Sequence, residues 1–344
     1  MRTAVRAFKA ASVTKAHYDA AGGFRNPWPG GSPQGLRGLL KWQLVDRWMH
    51  PRPRDPFPSV QQAAHGTSVS PRAAVDQVVL TWVGHATFLI QIGGHNVLTD
   101  PMWSERASPV GFAGPRRWAP PGIPFDALPP IDAVLLSHNH YDHLDDRTVR
   151  RLVSRHPAAR WFAPLRLAPF LLQRGARDVL ELDWWEETRL GSLAIGCTPA
   201  QHFSARGFRD RNRTLWCGWS LVAPARQVFF AGDSGYHPDF AAIGDRFGPF
   251  HAALLPIGAY EPRWFMRPVH MNPEEAVQAF QDLQRSRPPI SGRPVVMVGM
   301  HWGTFKLTDE RMDEPPARVR RAWQAAGLQS AQLWLPAPGE SRAL

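Results

Sequence analysis

A chain of 344 residues with 44% hydrophobic and 20% charged residues is long and apolar enough for one large buried core or two small ones, and is not of disordered composition. Two cysteines exclude a disulfide scaffold, and no apolar run reaches the ~18 residues needed to cross a bilayer. The formal charge of +11 suits an anionic partner (a phosphate ester, a lipid headgroup surface or nucleic acid) without choosing among them, and an Arg-rich solvated surface accounts for it equally well.

Met1–Ala21 is basic and Ala-rich but lacks a continuous apolar segment and a cleavage site, so no cleaved secretion signal is expected. Residues 1–70 read as an irregular N-terminal extension, with Gly and Pro crowding 22–35 and 50–58. Between these stretches Leu36, Leu39, Leu40, Leu44, Val45 and Trp48 fall at helical spacing, with Arg37, Lys41 and Arg47 interspersed. That predicts a short amphipathic helix over Leu36–Met49, packed on the main body; contact with a membrane surface or acyl chain is the sharper alternative.

Residues 71–344 read as the main domain. Val78–Val83, Ala86–Ile92 and Asn96–Thr99 are its first strands, with Gly93-Gly94 as a hairpin turn. Ala133–Leu136 is a buried strand ending at Ser137, and a helix follows from Asp145 to His156. Further strands are expected at Leu193–Thr198, Leu215–Val222, Val228–Ala231, Ala252–Pro256 and Val295–Gly299. A helix opens at Pro273 with Asn272 as its N-cap and runs to Arg285. Strands dominate the first half and strand–helix alternation the second, which predicts a two-sheet α/β core covered by helices. Cys197 and Cys217 fall on two strands around a loop and read as small buried hydrophobes, a cross-strand bridge being the alternative. Trp28, Trp103, Trp118 and Trp264 stand in Arg- and Pro-rich loops, where amphipathic rings favour pocket rims or a membrane interface.

Chemistry concentrates in Ser137-His138-Asn139-His140-Tyr141-Asp142-His143, directly after a buried strand. A single histidine is more often structural than ligating. Four imidazole or carboxylate groups within six residues, at a strand end that can aim alternate side chains into one cleft, point instead to a zinc-type metal site.

The motif resembles that of the metallo-β-lactamase superfamily, and the resemblance continues through Thr99-Asp100-Pro101, Ala200-Gln201-His202-Phe203, Ala231-Gly232-Asp233-Ser234-Gly235 and Gly299-Met300-His301-Trp302-Gly303. It implies an αββα four-layer sandwich of two mixed β-sheets flanked by helices. It also implies two Zn(2+) ions per chain, with Mn or Fe as substitutes. His138, His140 and His202 would hold one ion, Asp142, His143 and His301 the other, and Asp233 would bridge them. Trp82–Thr87, Gly114-Pro115-Arg116-Arg117, Met266-Arg267, His270–Ala276 and His301–Phe305 narrow the resemblance to the N-acyl-phosphatidylethanolamine-hydrolysing phospholipase D enzymes and their bacterial relatives, from about Val78 to Pro316.

The implied activity is that of a phosphodiesterase working through a hydroxide that bridges the ions. Asp142, Asp233 and His270 are the candidate catalytic residues; His270 would hydrogen-bond phosphate or assist the leaving group, or else cap or pack beside the following helix. Asp100 and His85 are expected behind the ligands, orienting them. In the basic loop after His202, Arg206 and Arg209 are the candidate substrate contacts, against a solvated-loop reading. The expected partner is a phosphodiester or phospholipid-like substrate, with a cytoplasmic location that is soluble or peripheral to the membrane. A sugar-phosphate lactonase is the nearest alternative. A nuclease ranks lower because no basic arm or clamp domain is present, and a true β-lactamase because its zinc sites lack such an Asp bridge. A non-enzymatic metal-binding protein would leave the whole ligand set idle. The oligomeric state, homodimer included, is left open.

Overall fold

The computed structural model describes residues 15–53, 55, 69–207, 209–285 and 295–344. Most of the basic Met1–Ala21 stretch and residues 56–58 of the Pro-rich segment lie outside the described residues. Helical turns α1 (Leu36–Leu40) and α2 (Arg47–Met49) flank a π-helical stretch, Lys41–Asp46.

Alternation along the early strands sets the first sheet. In β1 (Val78–Gly84) the side chains of Val78, Leu80 and Trp82 enter one hydrophobic cluster, and that of Val83 enters another on the opposite face. β1 pairs antiparallel with β2 (Thr87–Ile92), and β2 with β3 (His95–Thr99). β4 (Ala133–Leu135), β5 (Arg160–Pro164) and β6 (Val179–Leu182) then add in parallel. The other edge of β1 is closed by β14 (Ser341–Ala343), which runs antiparallel to it.

The second sheet repeats this plan. β7 (Glu187–Leu190), β8 (Leu193–Thr198), β9 (Gly218–Val222) and β10 (Gln227–Phe230) form an antiparallel series. β11 (Ala252–Pro256), β12 (Val296–Met300) and β13 (Leu333–Trp334) extend it in parallel. Each sheet has seven strands among the described residues.

The layers follow from the clusters. Leu80, Trp82, Phe88 and Ile90 of the first sheet share one core with Ile195, Trp219, Leu221 and Phe230 of the second. On the far side of the second sheet, Phe240 and Ile243 of α5 (Asp239–Phe247) and Ala276 and Phe280 of α7 (Pro273–Asp282) complete that core. On the far side of the first, Val83, Leu89, Leu98 and Trp161 pack against Val149 and Leu152 of α3 (Asp146–Arg155) and Leu171 of α4 (Ala168–Leu172). α6 (Arg263–Met266) lies in the loop before α7, and α8 (Glu314–Ala325) packs on α7. The result is the helix–sheet–sheet–helix sandwich expected from the sequence. Among the described residues no helix is long and apolar enough to cross a membrane.

The N-terminal segment enters the same packing. Phe24 is buried in the main core, and Trp42 is buried with Met266 and Val269. Most apolar side chains of Leu36–Met49, by contrast, face outward. The expectation for Trp103 is corrected: its ring is in the core beside Phe125, and its Nε1 donates to the Ile123 carbonyl. Its loop instead exposes Val110 and Phe112. Cys197 and Cys217 are both buried free thiols.

Candidate metal centre

Every residue of the sequence-predicted cluster follows the end of a strand, all at one rim of the sandwich. His85 follows β1, Asp100 follows β3, His138–His143 follow β4, His202 follows β8, Asp233 follows β10 and His301 follows β12. The backbone is bent to deliver them: His85, Asp100 and His301 have φ of 56°, 34° and 62°, a left-handed region that non-glycine residues seldom occupy outside functional sites. Two glycines make room. A Cβ on Gly258 would lie 2.2 Å from the His301 carbonyl oxygen, and one on Gly232 (φ +60°) would lie 2.6 Å from the Ser137 Cβ.

Two sets of donor atoms converge. His140 Nδ1 is 2.8 Å from His138 Nε2 and 3.2 Å from His202 Nε2. In the second set, His143 Nε2 and His301 Nε2 are 3.2 Å apart, with Asp142 Oδ2 3.4 and 3.5 Å from them. Asp233 Oδ2 is 2.9 Å from His143 and 3.0 Å from His301 in the second set, and 3.9 Å from both His138 and His202 in the first. All seven predicted ligands are therefore brought together.

The groups behind them fix which nitrogen faces inward. His202 Nδ1 is 2.8 Å from the Val269 carbonyl, a pure acceptor, so Nδ1 carries the proton and Nε2 is bare. Asp100 accepts from His143 Nδ1 (2.7 Å), Ser137 N (2.7 Å) and Ser137 Oγ (2.6 Å). With its proton given to Asp100, Ser137 Oγ accepts from His138 Nδ1 at 2.8 Å. His85 Nε2 lies 2.8 Å from Asp142 Oδ2. Asp100 and His85 thus touch ligands from behind, as expected. The Gly114–Arg117 segment joins this support: Arg117 Nη2 donates to the Met102 carbonyl, and its guanidinium lies over Phe305, whose ring meets His85 edge-on.

The electrostatics separate the two sets. Burial, with their imidazole neighbours, pushes His140 down to about 3 and His138 well below its ordinary value; burial likewise lowers His202 to about 4. Burial also lowers His143 and His301, but Asp233 and Asp142 outweigh it, holding His143 well above its usual range and His301 at about 9. Burial would raise Asp142 and Asp233, yet the surrounding histidines hold both carboxyls well below theirs. Buried imidazole nitrogens at mutual contact, with an Asp233 Oδ1 that is buried without any partner, are a donor set that fits divalent cations of the zinc type.

His270 joins the cluster. Its Nε2 is 3.9 Å from Asp233 Oδ2, its ring is 5.0 Å from His202 and 5.2 Å from His301, and its Nδ1 is buried without a partner. It does not cap α7, because Asn272 does: the Asn272 side chain accepts from Glu275 N while the Glu275 carboxylate accepts from Asn272 N. Arg206 lies across the His138–His143 loop. Its Nη1 donates to the Asn139 and Leu144 carbonyls (2.8 and 2.7 Å), its guanidinium stacks on Tyr141, and it lines a cavity of about 310 Å³ with Arg106, Arg147 and Arg174. Arg209 is exposed and makes no hydrogen bond or ion pair among the described residues.

Sequence reasoning missed Asn26. Its Nδ2 donates to the His202 carbonyl (2.8 Å) and the Gly31 carbonyl (2.5 Å), and its Oδ1 accepts from His202 N (3.2 Å) and Trp216 Nε1 (3.1 Å). No local pattern marks a lone Asn 176 residues from the ligand it holds.

Comparison with known proteins agrees with this geometry. A family model described as the beta-lactamase superfamily domain matches residues 95–302. An uncharacterized protein of Mycobacterium tuberculosis is 41% identical over 304 residues, 88% of this chain and 77% of that protein. The N-acyl-phosphatidylethanolamine-hydrolyzing phospholipase D 1 of Caenorhabditis elegans is 41% identical over 256 residues, 71% of this chain and 69% of that protein. Among solved structures, Igni18, a metallo hydrolase from the archaeon Ignicoccus hospitalis, has the same fold, with a TM-score of 0.57 at 23% identity over 78% of this chain and 98% of that one.

Proposed function

The chain belongs to the beta-lactamase superfamily, and from that premise we propose that it is a dinuclear metal-dependent phosphodiesterase of phospholipase D type, acting on N-acyl-phosphatidylethanolamine-like lipid diesters. The observation that carries the reading is a His/Asp donor set fit for two ions in a chain 41% identical to a relative with that named activity. His138, His140 and His202 would hold one ion, Asp142, His143 and His301 the other, with Asp233 shared. Zinc suits these donors, and Mn or Fe are accepted by the same chemistry. Two divalent ions there would supply Lewis acidity toward the diester oxygens and an activated water at neutral pH.

The chain's own side chains orient the substrate and donate hydrogen bonds to it. His270 Nε2 and the two raised histidines face the same oxygen of Asp233, so a phosphoryl or leaving oxygen placed over Asp233 meets a hydrogen-bond donor from His270. Burial holds His270 well below its ordinary value, so it works as a neutral imidazole. Arg206 keeps the metal-binding loop in shape through Asn139 and Leu144, and Arg209, exposed and without a partner among the described residues, is the residue left to meet an anionic headgroup.

The test is hydrolysis by metal-loaded protein of bis-p-nitrophenyl phosphate, an N-acyl phosphatidylethanolamine and a panel of lactones. Both diesters should turn over, and His270→Gln should lower kcat on them by roughly 10²–10⁴ with both ions retained. Lactone turnover that outruns both diesters would replace this reading with the lactonase.

A further inference from the structure

The Leu36–Met49 segment turns a long apolar stripe to the outside. Leu36, Leu40, Leu44 and Trp48 stand at strict four-residue spacing and are 69%, 48%, 67% and 82% exposed. On an α-helix of about 3.6 residues per turn, a row spaced by four drifts around the axis. Lys41–Asp46 is wound instead as a wider π turn, on which the same spacing drifts the other way. The change of winding at Lys41 therefore keeps the four side chains on one face. Leu39, Val45 and Met49 broaden it, and half-exposed Trp264 adjoins it, its ring 4.4 Å beneath the Lys41 ammonium.

We propose that this face docks on an anionic lipid bilayer. Two observations favour that occupant. The first is charge: Leu36–Met49 carries Arg37, Lys41 and Arg47 against one carboxylate of its own, Asp46. Lys41 pairs with Asp46 and Arg47 lies 3.5 Å from Asp309, while exposed Arg37 has no partner among the described residues and stands beside leucine and tryptophan, where it suits anionic headgroups over acyl chains. The second is continuity with the metal centre. From the opposite side of the same segment, Trp42 is buried with Met266 and Val269 and lies 4.9 Å from the Phe265 ring. Phe203, packed on that cluster, is 4.5 Å from the His140 ring, and the Val269 carbonyl accepts from His202 Nδ1. A chain of packed side chains thus joins the exposed stripe to the His140 ring, and the Val269 carbonyl ties the same cluster to His202, which sets the proposed bilayer face beside the candidate centre.

The purpose of such a surface rests on the lipid-diester reading above; binding itself can be measured without any chemistry. Leu44→Gln/Trp48→Gln removes two exposed side chains and spares Trp42, which is buried and donates to Asp309. Co-sedimentation of the metal-loaded protein with phosphatidylglycerol/phosphatidylcholine vesicles should weaken on the order of 10- to 100-fold. Turnover of diester in those vesicles should fall in step, while bis-p-nitrophenyl phosphate hydrolysis stays at the wild-type rate. Wild-type binding should also drop on pure phosphatidylcholine and in high salt. Equal vesicle binding by variant and wild type overturns the docking surface, as does wild-type protein that ignores anionic vesicles. A dimer that the double substitution dissociates overturns it too, by giving the stripe to a second copy. A wild type that binds vesicles but hydrolyses no diester leaves the surface standing and sinks the functional reading instead.

Discussion

At the scale of single residues, Asn26 uses its full side-chain capacity: two hydrogen bonds hold the His202 backbone, one donated and one accepted, and the other two reach the Gly31 carbonyl and Trp216 Nε1. Asn26→Ala should therefore loosen His202 and weaken the ion shared with His138 and His140 by about 10- to 100-fold, read by chelator competition with circular dichroism unchanged. Asn26→Asp, which keeps the acceptors but faces two carbonyls with a carboxylate, should be no better. Wild-type affinity in both variants would make Asn26 a packing residue only. His237 offers a different test. Its ring lies 4.2 Å from both Trp28 and Phe240, and both nitrogens are buried without partners. Burial pushes it down to about 3. The unfolded chain, with an ordinary histidine near 6.5, takes up a proton first as pH falls. Stability from the neutral ring is thus fully present above that value and lost toward pH 3, by up to ~1.4 kcal/mol per pH unit. His237→Phe should flatten this slope, so denaturant midpoints of variant and wild type should diverge between pH 7 and 5.5. Parallel curves would contradict the assignment.

At the scale of elements, α7 shows how far local sequence carries. Asn272, Pro273 and Glu275 spell a capping box before the apolar face of Val277 and Phe280, and all of it is formed. Asn272→Ala should cost about 1 kcal/mol, seen as a lower urea midpoint at unchanged slope; a shift within error would mean that packing on α8 alone holds the helix. Other elements left no such mark. β7, Glu-Thr-Arg-Leu, is an edge strand whose side chains alternate between solvent and a half-buried face, so no apolar run announces it. β5 ends at Pro164, which reads as a breaker, and only its place between β4 and β6 makes it a strand. The candidate ligands were legible because His138–His143 is chemically dense. The supports were legible only where they stand in motifs, as Asp100 and His85 do; Asn26 and the Val269 carbonyl act across 176 and 67 residues and leave no local mark.

At the scale of the whole molecule, the candidate centre straddles both sheets: His85, Asp100 and His138–His143 come from the first, and His202, Asp233 and His301 from the second. Bound ions would therefore clamp the two halves, and stripping them with a chelator should lower the unfolding midpoint. At a free metal concentration of a thousand times Kd the stabilisation is about 4 kcal/mol per site. Asp233→Asn, which removes the carboxylate near both donor sets, should reduce elemental stoichiometry from two ions toward none. Retention of one tightly held ion by the wild type would contradict the dinuclear centre.

β14 also binds the order in which the halves can be finished. Ser341–Ala343 supplies the neighbour of β1, and Leu344 N donates to the Val78 carbonyl. During synthesis the other strands of the first sheet therefore emerge early, yet wait for Ser341–Ala343 before the edge of β1 is covered. Until then β1 offers a nascent polypeptide with an open, apolar strand edge, the kind that invites pairing with another chain. Solubility in the cell should thus hinge on four residues remote from the chemistry. A chain ending at residue 340 should gather in the pellet when synthesised, even though every side chain of the candidate metal centre is present; a soluble, metal-loaded truncation would show that the edge is protected by other means.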